Sequence, residues 1–80
     1  MTYFTDLKPG QKIRVIQSFR DFDNTEIAEG IILTFVEYDY FPYDGGYTLK
    51  FEEGEIRLAE ISPEDKIILD RPWEFVELYG

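Results

Sequence analysis

The segment from residue 31 to residue 38 constrains the fold more than any other part of this chain. In a β-strand, successive side chains point to opposite faces of the sheet. Here both alternating sets are largely apolar: Ile31, Leu33 and Phe35 form one, and Ile32, Thr34, Val36 and Tyr38 form the other. A strand that is apolar on both faces needs cover on both sides, so we expect it at the centre of a small sheet.

Shorter alternating segments predict further strands around this one. The predicted strands are residues 11–19, 47–52, 56–59 or 56–61, and 66–69 as a closing strand. Glu53-Gly54 is a two-residue hairpin signal between the second and third of these. Residues 20–30 form a connection rich in turn formers, from which we expect Phe22 and Ile27 to fold back on the core. Ile16 interrupts the polar face of the first strand, so we expect that face to be partly covered.

The C-terminal residues allow two interpretations. Ser62-Pro63 predicts a capped turn, and Asp70-Arg71-Pro72 resembles the start of a helix. Trp73, Val76 and Tyr79 follow at i, i+3 and i+6, near one face of a helix, and therefore predict a short terminal helix that caps the core. A strand is the alternative for residues 73–79, because Trp, Phe, Val and Tyr also favour strands.

The length and the missing residue types define how such a chain is stabilised. Eighty residues bury only about 60% of the surface that the unfolded chain exposes, so we expect one domain with one small core. The chain has no Cys and no His, which excludes disulfides and Cys/His zinc sites. Stability must come from apolar packing, for which an aromatic content of 18% supplies large side chains.

Several short strands, one long early connection and tight later hairpins predict a mostly β fold. Residues 10–15 (GQKIRV), the 20–30 connection and residues 29–35 (EGIILTF) together resemble an SH3-like barrel of about five strands, here with a short C-terminal helix. The layout around residues 42–48 (PYDGGYT) also resembles a family of small bacterial domains without an assigned activity. The SH3-like resemblance implies that aromatic residues could contact proline-rich peptides.

The charge of the chain is large and unevenly distributed. The net charge is −9, yet residues 1–20 carry four cations against one acid, and residues 21–80 carry four cations against sixteen acids. The resulting negative electrostatic field repels nucleic acid and anionic membranes, and it speeds encounter with a basic protein. No apolar run approaches the roughly 20 residues of a membrane span, and the N-terminus lacks a signal-peptide pattern. We therefore expect a cytoplasmic protein that binds a basic partner.

The residues present argue against catalysis and against a metal or cofactor. Without His and Cys, neither Ser-His-Asp nor Cys-His sites can form. A calcium loop counted from Asp21 would need Gly and Glu at its sixth and twelfth positions, which hold Glu26 and Ile32. The acidic group of Glu52, Glu53 and Glu55 is better explained as a solvated hairpin tip than as a glycosidase pair.

The most distinctive segment is residues 37–47, which combines four tyrosines and three carboxylates around a Pro and a Gly-Gly pair. We expect a loop here between two strands. Tyr38 and Tyr47 fit a structural role, in which they pack across neighbouring strands. The predicted partner-binding residues are Asp39, Tyr40, Phe41, Tyr43, Asp44, Glu52, Glu53 and Glu55. An entirely structural role, with these rings covering one end of the barrel, is the alternative.

These observations predict a binding function without catalysis. The chain is interpreted as an immunity-type inhibitor of a basic toxin such as a nuclease, with carboxylates supplying charge and aromatic rings supplying contact area. Two alternatives stay open: an inhibitor that mimics nucleic acid and binds a DNA-binding enzyme, and a peptide-binding adaptor of SH3 type.

Overall fold

The computed structural model of the chain describes residues 3–43 and 45–80. A short 3-10 turn at Phe4–Asp6 precedes the strands, and a second one at Pro72–Glu74 precedes the last strand. Within the described residues the single α-helix is α1, Pro63–Asp70. The strands are β1 Lys12–Val15, β2 Phe19–Arg20, β3 Glu26–Ile27, β4 Ile32–Phe41, β5 Gly46–Phe51, β6 Gly54–Ala59 and β7 Val76–Tyr79.

Five strands form one antiparallel sheet in the order β6-β5-β4-β1-β7, with β4 at its centre. The pairing of β4 with β5 shifts register between Phe35 and Glu37, which marks a β-bulge. Bulges bend the strand that contains them, so β4 can pair with β1 over Ile32–Thr34 and with β5 over Phe35–Phe41. The mostly β class, the five-stranded SH3-like barrel and the central position of β4 are confirmed.

The core lies on the inner face of this bent sheet and follows the alternation seen in the sequence. Ile13 and Leu49 are fully buried, and Val15, Ile56 and Leu58 are almost completely so. The rings of Phe35 and Phe51 meet edge to face with centroids 5.7 Å apart, a favoured arrangement for aromatic pairs. Phe4, from the N-terminal turn, is also buried and covers one end of the core.

Two buried carboxylates cap the outer edge of β6. The side chain of Asp21 accepts a hydrogen bond from the Arg57 N–H at 3.2 Å, and that of Asp65 accepts one from the Ala59 N–H at 3.1 Å. The Phe22 N–H donates to the Arg57 carbonyl at 2.7 Å. An unprotected edge strand invites pairing with another chain, so these contacts, made by the β2–β3 hairpin and α1, close the edge.

The closing strand predicted at residues 66–69 is wrong, because these residues belong to α1. Pro63 stands at the first helical position and acids occupy the first turn, both of which favour a helix start. Asp65 and Ile68, three residues apart, are both buried, whereas Ile67 is 55% exposed. This is one-sided burial with a helical period, and the helix packs on β6 and on the second 3-10 turn.

The terminal helix expected at residues 73–79 is also wrong, and the alternative strand is correct for most of the segment. Pro72–Glu74 forms only a 3-10 turn, after which β7 pairs with β1 from Lys12↔Tyr79 to Val15↔Val76. Trp73 is 51% exposed and does not cap the core. Pairing with β1 favours the strand because it satisfies backbone groups that an isolated last turn would leave to water.

Three local expectations need correction. The loop begins later than expected, because β4 continues through Asp39, Tyr40 and Phe41. The β5–β6 hairpin turns at Glu52-Glu53 and not at Glu53-Gly54, since Phe51 pairs with Gly54. Finally, not every apolar residue expected to be covered is buried. Ile27 is buried, but Ile16, Phe22 and Ile31 are exposed. The expected cover on the second face of β4 is also wrong, because Ile32 and Val36 are exposed there.

Candidate functional site

Three tyrosines lie together where β4 and β5 extend beyond the buried core. Tyr40 pairs directly with Tyr47 across the two strands, and their ring centroids are 4.8 Å apart. Tyr38 pairs with the buried Leu49 and contacts Tyr47 diagonally, at 6.3 Å between centroids. Because directly paired residues share a face of the sheet, all three continue the inner face of the barrel. We call Tyr38, Tyr40 and Tyr47 the tyrosine face.

Gly45 allows Glu60, a residue with a carboxylate side chain, to lie close to this face. Its φ of +64° lies in the left-handed region, and a Cβ at this position would stand 2.9 Å from the Glu60 Cβ. The Glu60 N–H donates to the Gly45 carbonyl at 3.1 Å, which fixes Glu60 beside the turn that joins β4 and β5. A glycine is needed here both for the backbone conformation and for the close approach of Glu60.

A cavity of about 270 Å³ opens beside the tyrosine face, between the N-terminal turn and the end of α1. Its apolar and aromatic lining combines with two acidic side chains and three hydroxyl groups, two of them phenolic. The lining residues are Tyr3, Phe4, Thr5, Tyr47, Glu60, Leu69 and Asp70. We call it the tyrosine cavity. Pockets for drug-sized ligands start at about 300 Å³, so this one suits a single side chain or a small molecule.

The electrostatics of the cavity are negative. Desolvation and the nearby Glu60 carboxylate raise the pKa of Tyr47, with smaller contributions from Tyr40 and Tyr38, so this phenol stays neutral at physiological pH. Asp70 pairs with Lys66 at 3.2 Å. The Glu60 carboxylate forms no ion pair or hydrogen bond with any other residue in the described ranges 3–43 and 45–80. Glu60 is thus the available anionic group of the site.

The structure separates the residues predicted from the central segment. Tyr40 belongs to the tyrosine face, whereas Asp39 lies on the opposite face of the sheet and pairs with Lys50 at 3.0 Å. Phe41 also lies on that opposite face and is 53% exposed. Tyr43 stands fully exposed in the turn. Asp44 lies outside the described residues.

The three predicted glutamates lie at the other end of β5. Five residue steps along this strand separate the two ends by roughly 17 Å. The Glu53 carboxylate accepts hydrogen bonds from the Thr34 N–H at 2.7 Å and from the Thr34 hydroxyl at 3.2 Å, and the first of these is the main cause of its lowered pKa. Glu55 lies opposite Lys50 in the register of β5 and β6, and Glu52 is exposed on the hairpin turn. These three glutamates do not join the tyrosine face.

Tyr3, Glu60 and Asp70 were missed by the sequence reasoning. For Glu60 a usable signal exists: a two-residue turn at Glu52-Glu53 places residue 60 opposite residue 45 by simple counting, whereas the predicted turn one residue later places it opposite residue 47. The positions of Tyr3 and Asp70 follow from the docking of the N-terminal turn and of α1, for which no local sequence signal exists.

Within residues 3–43 and 45–80, no group of three or more acidic side chains is arranged to hold a metal ion. Neither is any helix in that part of the chain long and apolar enough to cross a membrane.

Comparison with known proteins identifies a structural relative. No family model matches the chain, and no curated protein matches its sequence. A solved structure of an integron cassette protein from the mobile metagenome of Vibrio cholerae superimposes with a TM-score of 0.80 at 26% sequence identity. The match covers 99% of this chain and 95% of the cassette protein, so the two share the complete fold.

Proposed function

We propose that this chain is a non-enzymatic acidic binding protein that captures a basic protein through the tyrosine face and Glu60. An immunity-type role, in which the partner is a basic toxin such as a nuclease, is the form of this function that we favour. The observation that supports it best is the position of the Glu60 carboxylate, which has no ion pair among the described residues, beside three partly exposed tyrosine rings. Tyrosine offers a large contact area and a polar tip at low entropy cost, and carboxylates supply attraction for cations.

The charge distribution favours a basic partner. Among the described residues, five of the eight cationic side chains already pair with carboxylates. Most of the described acids, among them Glu52, Glu55 and Glu60, therefore have no ion pair within residues 3–43 and 45–80. Such a surface accelerates encounter with a basic protein and opposes binding to nucleic acid.

The two alternatives gain less support. An inhibitor that mimics nucleic acid needs carboxylates in a regular surface row, but Asp21 and Asp65 are buried and Glu53 is engaged by Thr34. A peptide-binding adaptor needs an aromatic groove, and the tyrosine cavity is only large enough for one side chain. The resemblance to a cassette protein of a mobile metagenome makes gene context a useful test, since the partner of an immunity protein is commonly encoded beside it.

The experiment is a co-expression assay with the genes on either side. We expect one neighbour to encode a basic protein that inhibits growth when expressed alone, and we expect the wild-type chain to restore growth. The Tyr40→Ala variant should restore it poorly, whereas Tyr79→Ala, which alters a tyrosine of similar exposure on β7, should act like the wild type. If no neighbour encodes a basic or toxic protein, or if both variants protect equally, the proposed function is wrong.

A further inference from the structure

The tyrosine cavity has the chemistry of a site for a single cation. Its lining therefore suits one particular cationic side chain, in addition to the general attraction of the acidic surface for a basic protein. Two aromatic rings, Tyr3 and Tyr47, form part of its wall, and cations bind over aromatic faces within about 6 Å of the ring centre. Glu60 supplies a carboxylate at the same wall, and this carboxylate forms no ion pair within the part of the chain that the structure describes. The apolar Phe4 and Leu69 also line the cavity and suit a methylene chain.

The end of α1 adds to the negative potential. Leu69 and Asp70 belong to the last turn of this helix, and that turn contains no basic residue. The C-terminal end of a helix carries a partial negative charge, which favours cations nearby. Lys66 pairs with Asp70 at 3.2 Å and Arg71 follows at the C-cap position, so Glu60 remains the main anionic group of the cavity.

We propose that the tyrosine cavity receives the side chain of one arginine of the partner. This inference rests on the proposed capture of a basic protein and specifies which side chain is bound. The planar guanidinium group stacks on an aromatic ring, donates two parallel hydrogen bonds to a carboxylate and is less strongly hydrated than an ammonium group. The methylenes of the arginine contact Phe4 and Leu69, and the guanidinium reaches Glu60 beside Tyr47.

The cavity is tested with a small probe that does not depend on the identity of the partner. Acetyl-Gly-Arg-Gly-amide is titrated into the isotope-labelled protein, and the resonances of Tyr47, Glu60 and Leu69 are followed by NMR. We expect saturable shifts at these residues. The corresponding citrulline peptide, which has nearly the same shape without the charge, should produce none, and the lysine peptide should bind more weakly.

Matched variants separate a specific site from general attraction. Glu60→Gln and Glu55→Gln each remove one exposed negative charge, at opposite ends of β5 and β6. The loss of one charge-assisted hydrogen bond should weaken binding of the arginine peptide about tenfold in Glu60→Gln. Glu55→Gln should bind like the wild type. Tyr3→Ala, which removes one ring without changing the charge, should weaken binding about threefold.

The inference is overturned by any of four results: no shift at Tyr47 and Glu60, equal binding of the citrulline peptide, tighter binding of the lysine peptide, or equal losses in Glu60→Gln and Glu55→Gln. These results are distinct from a failure of the proposed function. If a basic partner binds wild-type protein and Glu60→Gln equally well, the arginine site is wrong while the function stands. If the arginine peptide binds the cavity but no basic protein partner exists, the arginine site is correct and the proposed function is wrong.

Discussion

The outer edge of β6 and the tyrosine end of the sheet both contain carboxylates, but the two regions use them in opposite ways. At the β6 edge, Asp21 and Asp65 are buried and accept hydrogen bonds from backbone N–H groups. At the tyrosine end, Glu60 is exposed and unpaired within residues 3–43 and 45–80. Net charge alone therefore overstates the acidic surface that can meet a partner, because the fold itself consumes part of it.

The largest expected effect is that of an Asp65 substitution on the free energy of unfolding, and it tests the role of the buried carboxylates at the β6 edge. Asp65→Ala leaves the buried Ala59 N–H without an acceptor, which should lower the free energy of unfolding by about 1–3 kcal/mol. Asp65→Asn keeps an acceptor oxygen and removes a buried charge, so it should cost much less. Urea unfolding of both variants measures the difference. Equal losses in the two variants would show that the backbone hydrogen bond is not what Asp65 contributes.

The next largest effect concerns the tyrosine face. Tyr40 and Tyr79 are 45% and 44% exposed, respectively, and both lie in strands, so they form a matched pair. If the tyrosine face contacts the partner, Tyr40→Ala should weaken binding about tenfold, about 1.4 kcal/mol, and Tyr79→Ala should change it less than twofold. Calorimetric titration with the basic protein of the co-expression assay measures both. A larger loss for Tyr79→Ala would move the binding surface to β7.

The pH dependence of stability should differ in sign between two carboxylates. Desolvation raises the pKa of Asp65 above its ordinary 3.8, so the folded state holds this proton more tightly and gains stability as the pH falls through the raised pKa. The hydrogen bond from the Thr34 N–H lowers the pKa of Glu53 below 4.5, so its contribution is present above pH 4.5 and is lost as the pH falls towards the lowered pKa.

The measurement for this pair is the free energy of unfolding between pH 3 and pH 7 in Asp65→Asn and Glu53→Gln. Relative to the wild type, Asp65→Asn should lose stability more steeply as the pH falls, because the compensating gain is absent. Glu53→Gln should lose it less steeply. Two parallel profiles would contradict the assignment of opposite environments to these carboxylates.

The smallest expected effect is at the turn. Tyr43 is fully exposed, so Tyr43→Ser should change the free energy of unfolding by no more than about 0.5 kcal/mol. Tyr40→Ala should cost about 0.5–1.5 kcal/mol, because it removes the ring contact with Tyr47. Thermal unfolding of the two variants compares them. A marked loss in Tyr43→Ser would indicate that the turn supports the fold and is not simply exposed.

Alternation was sufficient to predict the central sheet, because burial of one face leaves a period of two in the sequence. Ile13, Val15, Leu49, Ile56 and Leu58 occupy alternate positions of the predicted strands, and all five are buried. The short helix was not predicted, since residues 66–69 (KIIL) are equally compatible with a strand and only their packing on β6 decides. Local propensity is a weak guide in such short apolar runs.

The candidate site was only partly predictable for a related reason. Tyr40 could be proposed from its setting among aromatic and acidic residues. Glu60 required a hairpin position correct to one residue, and the predicted turn was shifted by one. Tyr3 and Asp70 reach the cavity through long-range packing of the N-terminal turn and α1, which no local pattern encodes. Residues that are distant in sequence thus complete the cavity.

The most direct test of the account is an NMR map of the isotope-labelled chain with the basic protein identified by co-expression. We expect the shifts to concentrate on Tyr38, Tyr40, Tyr47 and Glu60, with little change at Glu52 and Glu55. We also expect the shifts to decline with added salt, because the encounter is electrostatic. Shifts centred on the Glu52-Glu53 hairpin or on β7, with a silent tyrosine face, would contradict this expectation.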